Sequence, residues 1–350
     1  MTTFPVSENA EWVSVLSYTT ALTAPFAIQA ALKLNVFEIL NRHGQLSAQQ
    51  IIDLLPRPCT NPHAPALLDR LLHHLSSKSP TFPCPLLTAS LSPTSSVILY
   101  SLLPPSQYFL KDANGVSVGE CVSQQVLHFL DTFRHLDAVI LDGGDGFQKE
   151  FGHHISHHIA EHTPKLVAAM ASMTAVLMPQ LLDAYDGFAD VGTLVDVGGC
   201  TGYTLIHILD KYPDLKGINF DQPQIVTSGA IHPRLTHVGG NMLEAIPQAD
   251  AVFMMRILHD WEDDDCITIL KNCKTALGNK HGKVVVVDFY IPDLMDGYVP
   301  MHNFDILMMS SHGSKMRTAA EYRIMGRQAG YTDVKIVCIV NEYSVMEFLL

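Results

Sequence analysis

The chain is short of charge, and of positive charge above all. Across 350 residues charged side chains make up 16%, with 22 Lys and Arg against 35 Asp and Glu, a formal net charge of −13. An acidic chain with no basic cluster has no electrostatic footprint for a nucleic-acid backbone or an anionic membrane face, and both partners are excluded. No run of about 18 apolar residues stands out, so no membrane span is expected. CxxC pairs are also absent. The seven cysteines, Cys59, Cys84, Cys121, Cys200, Cys266, Cys273 and Cys338, are scattered and odd in number. That pattern fits reduced thiols and neither a disulfide framework nor a zinc site. The opening MTTFPVSENAEW has no basic start leading into an apolar run, so no signal peptide is expected and the chain is assigned to the cytoplasm.

Apolar material is plentiful, at 47% of residues, which is ample for packed cores. The length exceeds what one core usually serves, so two domains are expected. Residues 10–80 read as helices. TAPFAIQAALKLNVFEIL repeats apolar residues at steps of three and four, and LSAQQIIDLL and APALLDRLLHHL follow the same logic. Ser47 and Gln50 have the spacing of a capping box. Between Ser77 and Pro105 the chain is rich in Ser, Pro and Thr, and VILYSLL inside it predicts a small hairpin or wing. Residues 118–186 return to helix, interrupted at Gly143, Gly144 and Gly146. From Gly192 the texture changes. TLVDV, GINFD, ADAVFMMRIL and KVVVVDFYI read as strands alternating with helices TLIHILDKY and DDCITILKNCKTAL. That alternation predicts an open α/β domain with a parallel sheet.

The turn Asp196-Val197-Gly198-Gly199-Cys200-Thr201-Gly202 leaves a strand and opens a helix. Glycines there let the backbone approach a ligand, and a helix N-terminus favours an anionic group. Roughly 20 residues further on, the next strand ends in Asp221, placed for ribose hydroxyls. Together they predict a nucleoside cofactor. The dinucleotide fingerprint G-x-G-x-x-G fits poorly, since Gly198, Cys200 and Gly202 hold the alternate positions.

The ordered series LVDVGGCTG, KYPDLKGINFDQP, HVGGNM, IPQADAVFM, ILHDWEDDDC, NCKTAL, GKVVVVD, AGYTDVKI and YSVMEFL closely resembles the plant caffeic acid and flavonoid O-methyltransferases. The likeness reaches back through LDAVILDGG to APFAIQAALKLNVFEIL. It implies a mainly helical, winged-helix-like dimerisation domain over residues 1–115. A Rossmann-like methyltransferase domain that binds S-adenosylmethionine would follow over residues 116–350. It also implies a homodimer whose helical domains lend residues to the partner's pocket. Carried over by position, Gly198 and Gly202 would line the methionine end of the cofactor, Asp221 would hold the ribose, and Asn241 and Met242 would contact the adenine.

His259, just past the strand ADAVFMMRIL, would act as general base on a phenol, because imidazole titrates near neutrality and phenols have pKa near 10. Asp288, ending KVVVVD, would orient it. Asp260 either binds a substrate hydroxyl or methoxy group or caps the next helix. Met170 and Met308 align with methionines that clamp aromatic rings in the family.

Several positions depart from the family pattern. Cys200 replaces the middle glycine and predicts crowding or positive-φ strain. Asn241 replaces an aspartate, Met255 a lysine near the cofactor, and Met316 a second catalytic glutamate. Phe133 stands where tryptophan is usual, and the segment from Gly152 to Met170 is shorter than in relatives. These changes leave two alternatives beside O-methylation: N-methylation of a small amine, or a scaffold that has lost methyl transfer. His153, His154, His157, His158 and His162 cluster at helical spacing, but no H-E-x-x-H or carboxylate partner accompanies them, and no metal is assigned.

Overall fold

The computed structural model describes residues 10–79, 82–112, 115, 117–124, 129–153, 155–278, 282–291 and 300–350, with all of their side chains except those of 10, 124, 156–166 and 300. The chain divides into two compact units, Met1–Leu127 and His128–Leu350.

In the first unit, helices Ala10–Thr19, Thr23–Lys33, Val36–His43, Ala48–Asp53 and Ala64–Ser76 precede a hairpin of β1 (Leu87–Leu91) and β2 (Ile98–Leu102). The capping box forms: Ser47 Oγ accepts from Gln50 N–H at 3.3 Å, and Gln50 Oε1 accepts from Ser47 N–H at 2.8 Å. The predicted wing is this hairpin, paired antiparallel from Leu87↔Leu102 to Leu91↔Ile98. Phe37, Leu40, Ile51, Leu72 and Tyr100 fill the core between helices and hairpin. Tyr100 is fully buried, and its hydroxyl is satisfied by Asp69 Oδ1 at 2.8 Å and His73 Nδ1 at 2.7 Å. Trp12, Val13, Leu16 and Tyr18, on the first helix, are exposed.

The second unit is built on β3 (Thr193–Val197), β4 (Lys216–Asp221), β5 (Leu235–Gly239), β6 (Ala251–Met255), β7 (Lys283–Ile291), β8 (Arg317–Thr318), β9 (Asp333–Val340) and β10 (Tyr343–Leu349). The main sheet runs β5-β4-β3-β6-β7-β10-β9, with β8 beside the end of β7. The first five in that order are mutually parallel, as the alternating pattern predicts. Four of these, β3, β4, β6 and β7, are the strands read from the sequence; β5 is not among them. The structure adds an antiparallel pair, β10 against both β7 and β9. The parallel strands β3, β6 and β7 are buried on both faces, which explains their continuous apolar runs.

One expectation needs correction. Val167–Ala184, within helix Ile155–Ala184, is 18 residues long with mean hydropathy 1.4, long and apolar enough to cross a membrane. Ser172, Thr174 and Gln180 interrupt the run to the eye without lowering its mean far. In the fold, Leu177, Met178 and Leu181 are buried in a cluster with Leu205, Ile208 and Leu209, the position of a core helix. Phe188 lies at the centre of that cluster, with T-shaped contacts to Tyr185 at 5.1 Å and Phe253 at 5.6 Å. Phe188→Ala is expected to cost about 3–5 kcal/mol. A urea midpoint lowered at unchanged m-value would record this.

Candidate active site

His259 lies in the short turn Leu258–Asp260, just past β6, and β6 runs in parallel register with β7. That register sets His259 beside Asp288 of β7. His259 Nδ1 is 2.5 Å from Asp288 Oδ1, and the His259 backbone N–H donates to Asp288 Oδ2 at 3.3 Å. Asp288 is fully buried, and its carboxylate also accepts from Phe289 N–H at 2.9 Å. With Nδ1 committed to Asp288, the nitrogen left for chemistry is Nε2, which lies 3.3 Å from Asp260 Oδ1. Burial pushes the imidazole down. The negative charges of Asp288 and Asp260 and the hydrogen bond from Asp288 outweigh it and raise the pKa to about 9.

The turn carrying His259 is tied down from one segment. Arg317 Nη1 donates to Leu258 O at 2.6 Å, Ser314 Oγ to His259 O at 2.6 Å, and Arg317 Nη2 to Trp261 O at 2.7 Å. Arg317 is 1% exposed, and its Nε donates to Asp263 Oδ1 at 2.8 Å. Helix Asp263–Leu277 has Glu262 at its N-cap. Asp260 belongs to the preceding turn, so the helix-capping alternative for Asp260 is overturned. An apolar wall stands beside the imidazole: the Phe289 ring is 6.0 Å from that of His259 and stacks on Phe304 at 5.1 Å. Met308 and Met316 are buried in the same cluster as Phe289. Met316 thus supplies packing at the position where the family resemblance implies a glutamate.

The glycine turn follows β3. Gly198 and Gly202 have φ of 72° and 84°, and a Cβ on Gly198 would meet Ile257 Cδ1 at 2.3 Å. Cys200 has φ 52°, the predicted strain, which costs about 1–2 kcal/mol for a residue with a Cβ. Two side chains from β4 hold its peptide in place. Cys200 N–H donates to Asp221 Oδ2 at 2.8 Å, and Asn219 Nδ2 donates to Cys200 O at 2.8 Å. Burial, chiefly, raises the Cys200 thiol to about 11 and keeps it protonated. Met242 reaches the turn, its Cε 3.7 Å from where a Gly198 Cβ would stand. Asn241 is exposed and engaged locally, accepting from Leu243 N–H and donating to Glu244 Oε1.

Two further residues stand out here. Asp196, 1% exposed, has a buried Oδ2 with no hydrogen-bond partner among the described residues, and Arg256 has a buried Nη1 in the same condition. Burial and the charge of Asp221 push the Asp196 carboxyl up to about 8, against the pull of Arg256. Arg256, at φ 59°, donates through Nη2 to Thr174 Oγ1 at 2.5 Å and to Met170 O at 3.4 Å. Its charge bears on both Asp196 and His259, which links the glycine turn to the imidazole. Buried orphan groups are costly until a ligand or water completes them. An unsatisfied carboxyl and an unsatisfied guanidinium beside a glycine turn match, in kind, the ammonium and carboxylate of an amino-acid moiety. The site therefore fits S-adenosylmethionine.

Residues 133–332 match the model of the O-methyltransferase domain, and residues 16–112 that of the O-methyltransferase dimerisation domain. The chain belongs to the O-methyltransferase family. It is 39% identical to desmethyl-yatein O-methyltransferase of Sinopodophyllum hexandrum, over 93% of each chain. It is 35% identical to caffeic acid 3-O-methyltransferase of Clarkia breweri, over 98% of this chain and 95% of that one. Its fold is that of human N-acetylserotonin methyltransferase, solved in complex with the cofactor, with a TM-score of 0.83 over 99% of both chains and 18% identity. It is an S-adenosylmethionine-dependent O-methyltransferase.

In this O-methyltransferase the sequence reading singled out Gly198 and Gly202 after β3, Asp221 at the end of β4, Met242 after β5, His259 and Asp260 after β6, and Asp288 within β7. It missed Arg256, whose signal was a lone cation in AVFMMRIL, and Arg317, which carries no local signal. Of the histidine cluster, residue 154 and the side chains of 157, 158 and 162 lie outside the described residues. His153 packs 5.8 Å from the ring of Phe147. Among the described residues no group of three or more ligand side chains is arranged to hold a metal.

Arg317→Met would leave two carbonyls of the turn short of donors. It is expected to destabilise the protein by about 2–3 kcal/mol and to lower kcat more than it raises KM. The imidazole supplies a second check. His259 titrates higher in the fold than the ordinary histidine value of about 6.5. Its contribution to stability is complete below pH ~6.5 and is lost as pH rises through about 9. Comparing urea midpoints at pH 6 and pH 9.5 for wild type and His259→Gln checks the sign: the wild type should lose more.

Proposed function

We propose that this O-methyltransferase methylates a phenolic hydroxyl of a small aromatic metabolite, with His259 as general base and Asp288 as its orienting partner. The observation that carries the reading is the buried Asp288–His259 pair, with Nδ1 held at 2.5 Å and Nε2 turned toward the exposed carboxylate of Asp260. When bound, S-adenosylmethionine supplies a methyl group activated on a sulfonium sulfur. His259 Nε2 takes the phenol proton as the hydroxyl oxygen becomes the nucleophile, and Asp288 stabilises the imidazolium that results. A base near pKa 9 is well matched to a phenol near 10. Phe289 and Met308 offer an apolar bed for a ring, and Asp260 offers an acceptor for a neighbouring hydroxyl. Gly198, Gly202 and Met242 serve the cofactor's passage along the turn, Asp221 its ribose, and Asn241 its adenine.

The dimerisation domain and the exposed Trp12, Val13, Leu16 and Tyr18 support a homodimer. Among the described residues no disulfide joins the cysteines, which supports a reducing, cytoplasmic setting.

Isothermal titration with S-adenosylmethionine should give affinity on the order of micromolar. Absence of heat at millimolar cofactor would overturn the reading in favour of a scaffold without transfer. Labelled cofactor offered with a panel of phenols and amines should mark phenols; labelling of amines alone would overturn O-methylation. With the phenol turned over best, His259→Gln should lower kcat/KM by about 10²–10⁴-fold with cofactor affinity unchanged. In the wild type, kcat/KM should rise about tenfold per pH unit and level near 9.

A further inference from the structure

We propose that His237 is a positioning residue for the cofactor turn, and that protonating it loosens the protein's hold on the cofactor. The proposal rests on the reading of Gly198 to Gly202 as the seat of the cofactor's methionine end. Asp196, Asn219 and His237 are register partners across the neighbouring parallel strands β3, β4 and β5. Residues in one register row share a face of the sheet, so three polar side chains stand in line beneath the turn. A Cβ on Gly199 would meet Asn219 Oδ1 at 2.2 Å and Asp196 Oδ2 at 2.6 Å, and one on Gly202 would meet the His237 ring at 3.2 Å.

The row closes a ring of hydrogen bonds on the turn. Asn219 Nδ2 donates to Cys200 O at 2.8 Å and lies 3.0 Å from His237 Nδ1. His237 Nε2 lies 2.8 Å from Ala230 O, and Ala230 N–H donates to Thr201 O at 2.8 Å. Each neighbour of the imidazole has a single role. A backbone carbonyl only accepts, so Cys200 O fixes which end of the amide is nitrogen, and Ala230 O takes a hydrogen from Nε2. An amide nitrogen only donates, so Nδ1 receives a hydrogen from Asn219. Both ring nitrogens are engaged, and only the neutral imidazole fits between these two partners.

Protonation sets a donor at Nδ1 against the donor at Asn219 Nδ2. The amide has an answer, because its Oδ1 is buried without a partner among the described residues, as is Asp196 Oδ2. Turned over, Asn219 presents Oδ1 to the imidazolium and Nδ2 to the Asp196 carboxyl. Cys200 O then loses its donor and faces an oxygen. Cys200 holds φ 52° with a Cβ, and of the two hydrogen bonds that fix it only the one from its N–H to Asp221 remains. The turn relaxes, and the methionine end of the cofactor loses its seat.

The other titratable groups around His237 are committed. Asp221 accepts from the N–H groups of Cys200 and Gln222, and His232 lies 3.5 Å from Asp210 on helix Tyr203–Lys211. Arg234, on β5 with His237, donates to the carbonyls of Leu209, Tyr212 and Leu215. Burial holds His207 toward its neutral form and keeps the Cys200 thiol protonated. Burial also raises the Asp221 carboxyl, which makes Asp221 the rival source of any loss in acid.

Calorimetric titration of the wild-type chain with S-adenosylhomocysteine between pH 8 and pH 5.5 tests the device. Affinity should fall about tenfold, the worth of one such hydrogen bond. By linkage, the His237 titration followed by NMR should move about one pH unit lower in the complex than in the free chain. Constant affinity, or a His237 titration that the ligand leaves unmoved, overturns the proposal. His237→Gln keeps an acceptor for Asn219 and a donor for Ala230 but carries no titrating proton. It should bind within about threefold of wild type at pH 8 and lose nothing at pH 5.5. A loss that persists in His237→Gln assigns the effect to Asp221 and overturns the proposal. Absence of heat from the wild type at pH 8 overturns the turn as cofactor seat, a failure distinct from binding that ignores pH.

Discussion

A carboxylate sealed inside the sheet governs this molecule. Asp288 sits inside a strand, between a run of four valines and two aromatics, with no access to solvent. A lone charge there would be untenable, and three contacts make it tolerable: the imidazole of His259, the backbone N–H of His259, and that of Phe289. The same contacts fix the imidazole's tautomer, its orientation and its high proton affinity. Folding and reactivity share one hydrogen bond, so neither partner can change alone.

The surrounding architecture keeps that pair in register. The turn after β6 would be free to move if only the strand held it. Ser314 and Arg317 bind its carbonyls from a segment more than fifty residues later in the chain. Arg317 works at full burial because its planar fork reaches two carbonyls and a carboxylate at once, a task a lysine could not perform. At the other end of the site Cys200 shows a comparable economy. A residue with a side chain has entered a left-handed position, and hydrogen bonds from Asn219 and to Asp221 hold it there.

Much of this was legible in the sequence, where local physics writes a local signal. The alternation of strands and helices gave the parallel sheet, Ser47 with Gln50 gave a cap, and the glycine turn with Asp221 gave a nucleoside site. His259 and Asp288 were readable because each stands in or just past an apolar strand as a group that has no business in a core. Long-range partnerships were not readable. Nothing in RTAAEY tells that its arginine grips residues 258 and 261, and nothing in ILHDW tells that Asp260 faces a histidine at 312. Arg256 was visible as an anomaly, but its role depends on Thr174 and Asp196, which only the packed helix and β3 bring together. Residues 167–184 were read as helix, but the length of their apolar run was hidden by scattered hydroxyls that barely lower its mean hydropathy.

The strand β10 lies between β7 and β9, and Ser344 on it donates a hydrogen bond to the carbonyl of Asp288. Its partners in the sheet are synthesised earlier, yet the slot between β7 and β9 stays open until residues 343–349 have left the ribosome. A nascent chain can therefore hold every reactive side chain and still have its crucial acid facing an unfilled slot. β10, made after both of its neighbours, is the strand that closes the sheet beside Asp288.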